Sequence, residues 1–431
     1  LRPQQSINNM PSISKRGQQV PLSPFRKLAP LAEKAKAAGK HVYHLNIGQP
    51  DILTPPEALQ QVQEANLKIL EYSPAEGFLS YRKKLCEYYA RFDVDLDYEQ
   101  VIVTTGASEA IQLVLLSCLN QGEAILAPEP FYANYNGFAH IADVQVHAIT
   151  CDIETGFALP DAAAFERCLT PHTKAIFITN PNNPTGTFYG REVLEGLALL
   201  AKAYDLYLIV DEVYREFCYD GQPFFSALNL EGAEKNVIVI DSVSKRYSAC
   251  GARVGAVVTR NEAVLNAVSL YAKLRLSPPT LGQIVAEAAI GIGEEYLREV
   301  KAEYDRRRMV VYNRLQQMPG VISYLPGGAF YCFARFPIAD ADDFCQWLLS
   351  DFEYRGATVM LSPGAGFYAT PGLGKDEVRI AYVLNVHDLE AAMDCLEEAL
   401  RIYPGRLTSS VDDHFFYPQS LIASHLQQVE T

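Results

Sequence analysis

Residues 237–256 read VIVIDSVSKRYSACGARVGA, and the way this stretch divides decides the fold. Val237-Ile238-Val239-Ile240 is a short apolar run of the kind that fills a strand covered on both faces. Lys245 follows directly behind it, three residues after Ser242 and eight before Arg253. An ammonium group at the end of a buried strand loses much of its solvation unless it is paired or neutralised. Such a lysine suits Schiff-base chemistry, in which a neutral amine attacks a carbonyl and a nearby cation, here Arg253, helps lower its pKa. The plainer alternative is a lysine on a surface loop.

Working outward, similar runs recur at 101–103, 124–127, 175–178, 206–210 and 254–258, separated by segments of helical periodicity. This is the pattern of a mostly parallel central sheet with helices on both faces. Polar clusters follow the runs: Thr105-Gly106-Ala107-Ser108, then Pro130-Phe131-Tyr132, Asn180 to Gly186 (NPNNPTG), Asp211-Glu212-Val213-Tyr214, and Ser242 to Lys245. In an open parallel sheet the C-terminal strand ends share one edge, so these clusters are expected to converge on one crevice.

Before the sheet, residues 1–30 read as an extended arm, with Pro21, Pro24 and Pro30 breaking any helix; a helix then runs to Gly39 and a strand from His41 to Ile47. After it, residues 260–276 and 281–317 read as helices, the second long and charged. Residues 322–400 alternate shorter strands and helices and read as a smaller α+β domain. The resulting division is 1–45 (arm and part of the small domain), 46–295 (large domain), 296–403 (small domain) and 404–431 (C-terminal extension with a Phe415-Phe416-Tyr417 cluster).

The polar clusters carry a coherent chemistry. The turn at Ala107 and Ser108 opens a helix, whose first N–H groups can meet a phosphate, although most such turns bind nothing. Arg253 can add a fork for phosphate oxygens or serve a structural ion pair. Asp211 ends an apolar strand, where a carboxylate calls for a cation such as a pyridinium N–H; capping a helix is the alternative. Tyr214 and Asn183 have donors for a phenolate oxygen, and Tyr132 can stack on a flat ring or simply fill core.

A net charge of −14 argues against nucleic acid or an anionic membrane as partner, and no apolar stretch is long enough to span a bilayer. The nine cysteines form no C-x-x-C pair and the eight histidines no metal-spaced set, so no metal site is expected and a reducing cytoplasm is the simpler location. Asp340, Asp342 and Asp343 read as a solvated loop.

The motifs NPNNPTG, DEVY, SVSK with an arginine eight residues on, and VRIAYV, in this order from about Leu45 to Ile402, resemble the fold-type I pyridoxal-phosphate enzymes, and within them the class I/II aminotransferases. The resemblance implies a homodimeric enzyme moving an amino group from an L-amino acid, aspartate or aromatic among the options, to a 2-oxo acid. It implies that Lys245 forms the Schiff base and shuttles the proton, Asp211 pairs with the ring nitrogen, Asn183 and Tyr214 bind the ring oxygen, and Tyr132 stacks. Ala107, Ser108, Ser242 and Arg253 would hold the phosphate, with Tyr72 reaching the phosphate of the neighbouring subunit. Arg379 would clamp the substrate carboxylate, with Gly48 beside it. A C–S β-lyase of the same fold is the alternative. No arginine matches well the one that reads a second, side-chain carboxylate; Arg275 is the nearest, in poor register.

Overall fold

The computed structural model describes residues 11–21 and 27–407. The expected arm is partly helical: Lys15–Gln18 form one turn, capped by the Ser14 hydroxyl accepting from the Gly17 N–H at 3.0 Å. Pro30 does not break a helix but lies in the first turn of Ala29–Ala37, where its missing N–H has no intrahelical acceptor to lose. Residues 1–10, 22–26 and 408–431, the Phe415-Phe416-Tyr417 cluster among them, lie outside the described residues.

After the strand β1 (His41–His44), seven strands form the central sheet: β2 (Val101–Thr104), β3 (Ala124–Glu129), β4 (Gln145–Thr150), β5 (Thr173–Thr179), β6 (Tyr207–Asp211), β7 (Val237–Ser242) and β8 (Gly255–Thr259). Their order is β2-β8-β7-β6-β5-β3-β4. β8 pairs antiparallel with both neighbours, and the other pairings are parallel. All six runs seen in the sequence become strands. β4 is the strand the sequence hid: at the sheet edge, QVHAIT is half exposed and mixes Gln and His with its apolar residues.

Period-two alternation divides the buried strand residues between two cores. Ile176, Val210 and Val239 face Tyr81, Leu85 and Leu197 on one side. Phe177, Ile209 and Ile240 face Ile111, Val114 and Phe138 on the other. Covering both faces in this way leaves the strand ends as the place where polar side chains can gather. The parallel registers Thr179↔Asp211 and Asp211↔Ile240 set the C-terminal ends of β5, β6 and β7 side by side.

The helical stretch read over 281–317 is two helices, Thr280–Ile290 and Glu294–Gln317, interrupted at Gly291-Ile292-Gly293. Two glycines in three residues, each poor in a helix interior, end one helix and start the next. A second sheet follows, built from β9 (Ile322–Ser323), β10 (Tyr331–Arg335), β12 (Ser362–Pro363) and β13 (Glu377–Ala381) in the order β12-β13-β10-β9, while β11 (Ala357–Met360) pairs in parallel with β1. Asp340 is no solvated loop residue: its carboxylate caps the helix Ala341–Ser350, accepting from Asp342 N at 2.8 Å and Asp343 N at 3.2 Å. No helix among the described residues is long and apolar enough to cross a membrane.

Candidate active site

The polar strand ends do converge. A cavity of about 520 Å³ is lined by Gly48, Ala107, Ser108, Tyr132, Asn183, Asp211, Tyr214, Ser242, Lys245, Arg253 and Arg379, with Thr179, Ser244, Cys250 and Tyr331 among the others around it. This volume is in the range of small-molecule and cofactor sites. Of the residues to which the resemblance gave a role at the site, Tyr72 does not line it; it is 78% exposed on the surface.

Lys245 sits on the short helix Val243–Arg246, whose start is fixed by Ser242: the Ser242 Oγ accepts from the Ser244 N–H at 3.1 Å and lies 2.9 Å from the Val254 carbonyl. Its Nζ, half-buried, donates to the Gly48 carbonyl at 2.8 Å and lies 3.8 Å from Cys250 Sγ. The Arg253 guanidinium lies across the turn that starts the helix Gly106–Cys118, with Nη2 3.4 Å from the Thr105 carbonyl and Nη1 donating to the Cys250 carbonyl at 3.1 Å. A Cβ on Gly106, which also has φ +75°, would fall 2.3 Å from Arg253 Nη2, so only glycine lets the guanidinium approach the helix N-terminus. Among the described residues neither Lys245 nor Arg253 makes an ion pair, so the structural-pair alternative for Arg253 finds no support.

Asp211 ends β6 at 5% exposure. Its carboxylate accepts from the Val213 N–H at 3.2 Å and the Tyr135 hydroxyl at 3.5 Å, and no cation among the described residues pairs with it. Burial pushes its pKa up to about 7, with the negative Asp241 and Glu212 adding to the rise. Just below, buried Asp241 pairs with Arg246 and lies 3.5 Å from Arg215, which is 3.3 Å from Glu212.

Asn183 is held in a turn whose amides bond internally, Asn182 Nδ2 to Thr185 Oγ1 at 2.9 Å and Asn180 Nδ2 to the Tyr189 carbonyl at 3.0 Å. Its Oδ1 accepts from Arg379 Nη1 at 2.9 Å, and Arg379 Nη2 donates to the Asn46 carbonyl at 2.6 Å. Burial lowers the Arg379 pKa, yet arginine remains a cation at any ordinary pH. The Tyr132 hydroxyl accepts from Asn134 Nδ2 at 2.7 Å, and burial pushes it up to about 12. Arg275 stands elsewhere: it donates to the carbonyls of Ala75 (3.0 Å) and Val103 (3.2 Å), lies 3.6 Å from Glu109, and does not line the cavity.

Sequence reasoning missed Tyr331, Tyr135 and Cys250. Cys250 lies within the stretch 237–256 but carries no motif of its own. Tyr331 and Tyr135 belong to an apolar-rich strand and helix, and only their tertiary neighbours distinguish them from core tyrosines.

Residues 40–396 match the sequence profile of the family described as aminotransferase class I and II. The chain is 31% identical to an aspartate aminotransferase of Pyrococcus horikoshii over 87% of this chain and 94% of that one. It is 30% identical to an aromatic-amino-acid aminotransferase of Thermococcus litoralis over 90% and 98%. Among solved structures, the aspartate aminotransferase of Thermotoga maritima superposes with a TM-score of 0.82 at 29% identity, covering 90% of this chain and all of that one. The chain therefore belongs to the class I and II aminotransferases, a fold-type I family dependent on pyridoxal phosphate, and is a transaminase.

Proposed function

We propose that this chain moves the amino group of an L-amino acid to a 2-oxo acid, with pyridoxal 5'-phosphate held in the cavity described above. Asp211 carries the reading. It is a buried carboxylate without a cationic partner among the described residues, in one cavity with a lysine and a helix N-terminus. The donor set fits the cofactor at each end. A protonated ring nitrogen supplies the missing cation for Asp211, the first turn at Ala107 and Ser108 with Arg253 suits a phosphate, and the Lys245 amine suits an aldehyde.

When bound, the cofactor supplies a carbonyl for amine exchange and a ring that takes up the electron pair left at the substrate Cα. The chain's residues do the rest. Asp211, ionised, holds the proton on the ring nitrogen. Asn183, with its Oδ1 already accepting from Arg379, would have its Nδ2 donors left for the ring oxygen, which the Tyr214 hydroxyl would also bind. Tyr132 would cover a ring face, and Ser242 would help to hold the phosphate from the turn that it caps. The Lys245 amine, which lies in the cavity on the Gly48 carbonyl, would hold the cofactor's aldehyde carbon and, when free, would serve as the base for the substrate Cα proton. Arg379 receives the substrate carboxylate on its fork with the Gly48 backbone alongside.

A homodimer belongs to this reading. Leu53, Ile69, Leu70, Tyr72, Leu270 and Leu274 are each more than 60% exposed, and the Thr280 hydroxyl, donating to the Glu71 carbonyl at 3.1 Å, ties the segment of Ile69 to Tyr72 to the one that follows Leu274. A second copy would cover them and bring Tyr72 to the partner's phosphate site. A reducing cytoplasm suits nine unpaired cysteines. Relatives named for aspartate, aromatic amino acids and a furan-methyl phosphate are all transaminases, which favours transamination over C–S lysis and makes aspartate and aromatic donors the first to try.

Borohydride reduction of the protein incubated with pyridoxal phosphate, followed by peptide mass spectrometry, is expected to place the label on the peptide containing Lys245. Adding an amino donor should bleach the visible band and yield the matching 2-oxo acid. A label on another lysine, or a Lys245→Ala protein that still transaminates, would overturn the assignment.

A further inference from the structure

Tyr331 opens β10 at the centre of the second sheet, 2% exposed, and its side chain meets three parts of the cavity. It lies 2.8 Å from the Tyr214 hydroxyl. It stands where a side chain on Gly48 would have to be, since a Cβ there would fall 1.7 Å from Tyr331 Oη. The carbonyl of that same Gly48 accepts from Lys245 Nζ. Register explains the third contact: Phe333 is paired with Arg379 across β10 and β13, which makes Tyr331 the diagonal neighbour of Arg379, and the guanidinium lies 4.5 Å over its ring.

We infer that Tyr331 is a positioning residue with two separable parts: a hydroxyl that donates to Tyr214 and so directs the Tyr214 proton into the cavity, and a ring that supports the Arg379 guanidinium. Two hydroxyls 2.8 Å apart share one proton between them. With an anionic oxygen in the cavity, the favoured order is Tyr331 to Tyr214 to that oxygen, because each donor in a chain strengthens the next. The inference rests on the cofactor being held as proposed. The charged and titratable groups about the pair are Arg379 on β13, Tyr132 across the cavity, Tyr304 behind Phe330, and Asp211 and Lys245 at the strand ends.

The two parts give different signatures. A donor to the ring oxygen steadies the negative charge that this oxygen carries once the neighbouring Schiff-base nitrogen loses its proton, so weakening the donor raises the pH at which the visible band changes. Tyr331→Phe, which keeps the ring, is expected to raise that midpoint by about 0.5–1 unit while leaving KM for the amino donor within about twofold. Tyr331→Leu, which loses the ring as well, should raise KM by about 5- to 30-fold. In a Tyr214→Phe background, Tyr331→Phe should shift the midpoint no further. An unmoved midpoint in Tyr331→Phe, an equal shift in the Tyr214→Phe background, or an unchanged KM in Tyr331→Leu would overturn the inference while leaving the proposed function intact. A wild-type protein that shows no visible band with pyridoxal phosphate would instead overturn the proposed function, and this inference with it.

Discussion

Replacing Asp211 with asparagine should make the cofactor-free protein more stable and the enzyme far less active. In the folded chain the Asp211 carboxyl titrates at about 7 instead of 3.8, because burial penalises its charged form and nothing positive offsets it. Between those values the folded protein keeps a proton that the unfolded chain has released, so stability falls as pH rises, and above about 7 the penalty is complete. A difference of about 3 units corresponds to an upper bound of about 4 kcal/mol. Asparagine has no charge to bury, keeps an oxygen for the Val213 N–H, and avoids the penalty. At pH 8 the Asp211→Asn apoprotein should melt higher by up to about 5 °C for a chain of this size, and at pH 4.5 the two proteins should melt nearly together. With pyridoxal phosphate added, the order should reverse, since only the carboxylate gains a cationic partner, and transamination should drop by roughly a hundredfold or more. Melting curves by fluorescence across pH 4.5–8, with and without cofactor, read the three stability outcomes, and a steady-state transamination assay reads the fourth. If the apoprotein variant is no more stable at pH 8, or its advantage is equally large at pH 4.5, the carboxylate is not the buried, unpaired group described here.

Arg253→Gln should weaken pyridoxal phosphate binding by about 10- to 100-fold while leaving pyridoxal, which lacks the phosphate, almost unaffected; a fluorescence titration with both ligands checks it. Arg379→Lys keeps the charge but loses the fork, and KM for donor and acceptor should both rise by roughly tenfold or more in steady-state assays. Gly48→Ala would drive a methyl group into Tyr331 Oη, so both the melting temperature and the activity should fall, and a Tyr331→Phe change in the same chain should restore part of the former. Asp241→Asn leaves the buried Arg215 and Arg246 facing a neutral amide and should cost about 3–5 kcal/mol of stability by urea denaturation.

The fold was legible where burial is uniform. Strands covered on both faces must be apolar at every position, so VIV at 101–103 and VIVI at 237–240 announce themselves, while the edge strand Gln145–Thr150, free to carry Gln and His, does not. Breaks of one or two residues were harder: Gly291 and Gly293 divide what periodicity joins into one helix, and the tolerance of a first turn for Pro30 depends on where the helix starts. At the site, residues at strand ends or in turns could be read because their polarity interrupts an apolar run. Tyr331 and Tyr135 could not, since a tyrosine within an apolar segment has the same sequence signature whether its hydroxyl meets a cavity or a core carbonyl, as the Tyr219 hydroxyl does on Ala329 O at 2.6 Å.

What lies beneath the cavity explains how it can hold an uncompensated carboxylate at all. Arg215, Glu212, Asp241 and Arg246 are all buried and tie the end of β7 and the segments that follow β6 and β7 to each other and, through the Tyr89 hydroxyl at 2.6 Å from Arg215 and the Tyr88 ring 4.2 Å from Arg246, to the helix Leu79–Ala90. Two positive and two negative groups cancel within the cluster, so it offers Asp211 no net cation. Asp241 and Glu212 even stand among the causes of its raised pKa. A floor made of apolar side chains could hold β6 and β7 just as firmly, and such replacements often match buried ion pairs in stability. The ion-paired floor differs from an apolar one in that two of its carboxylates, Asp241 and Glu212, help to keep the Asp211 pKa high while no cation is near it. The same four side chains thus hold the floor rigid and leave Asp211 without a cation of its own, so in the proposed function the stability sacrificed at Asp211 would be recovered on pairing with the cofactor's ring nitrogen.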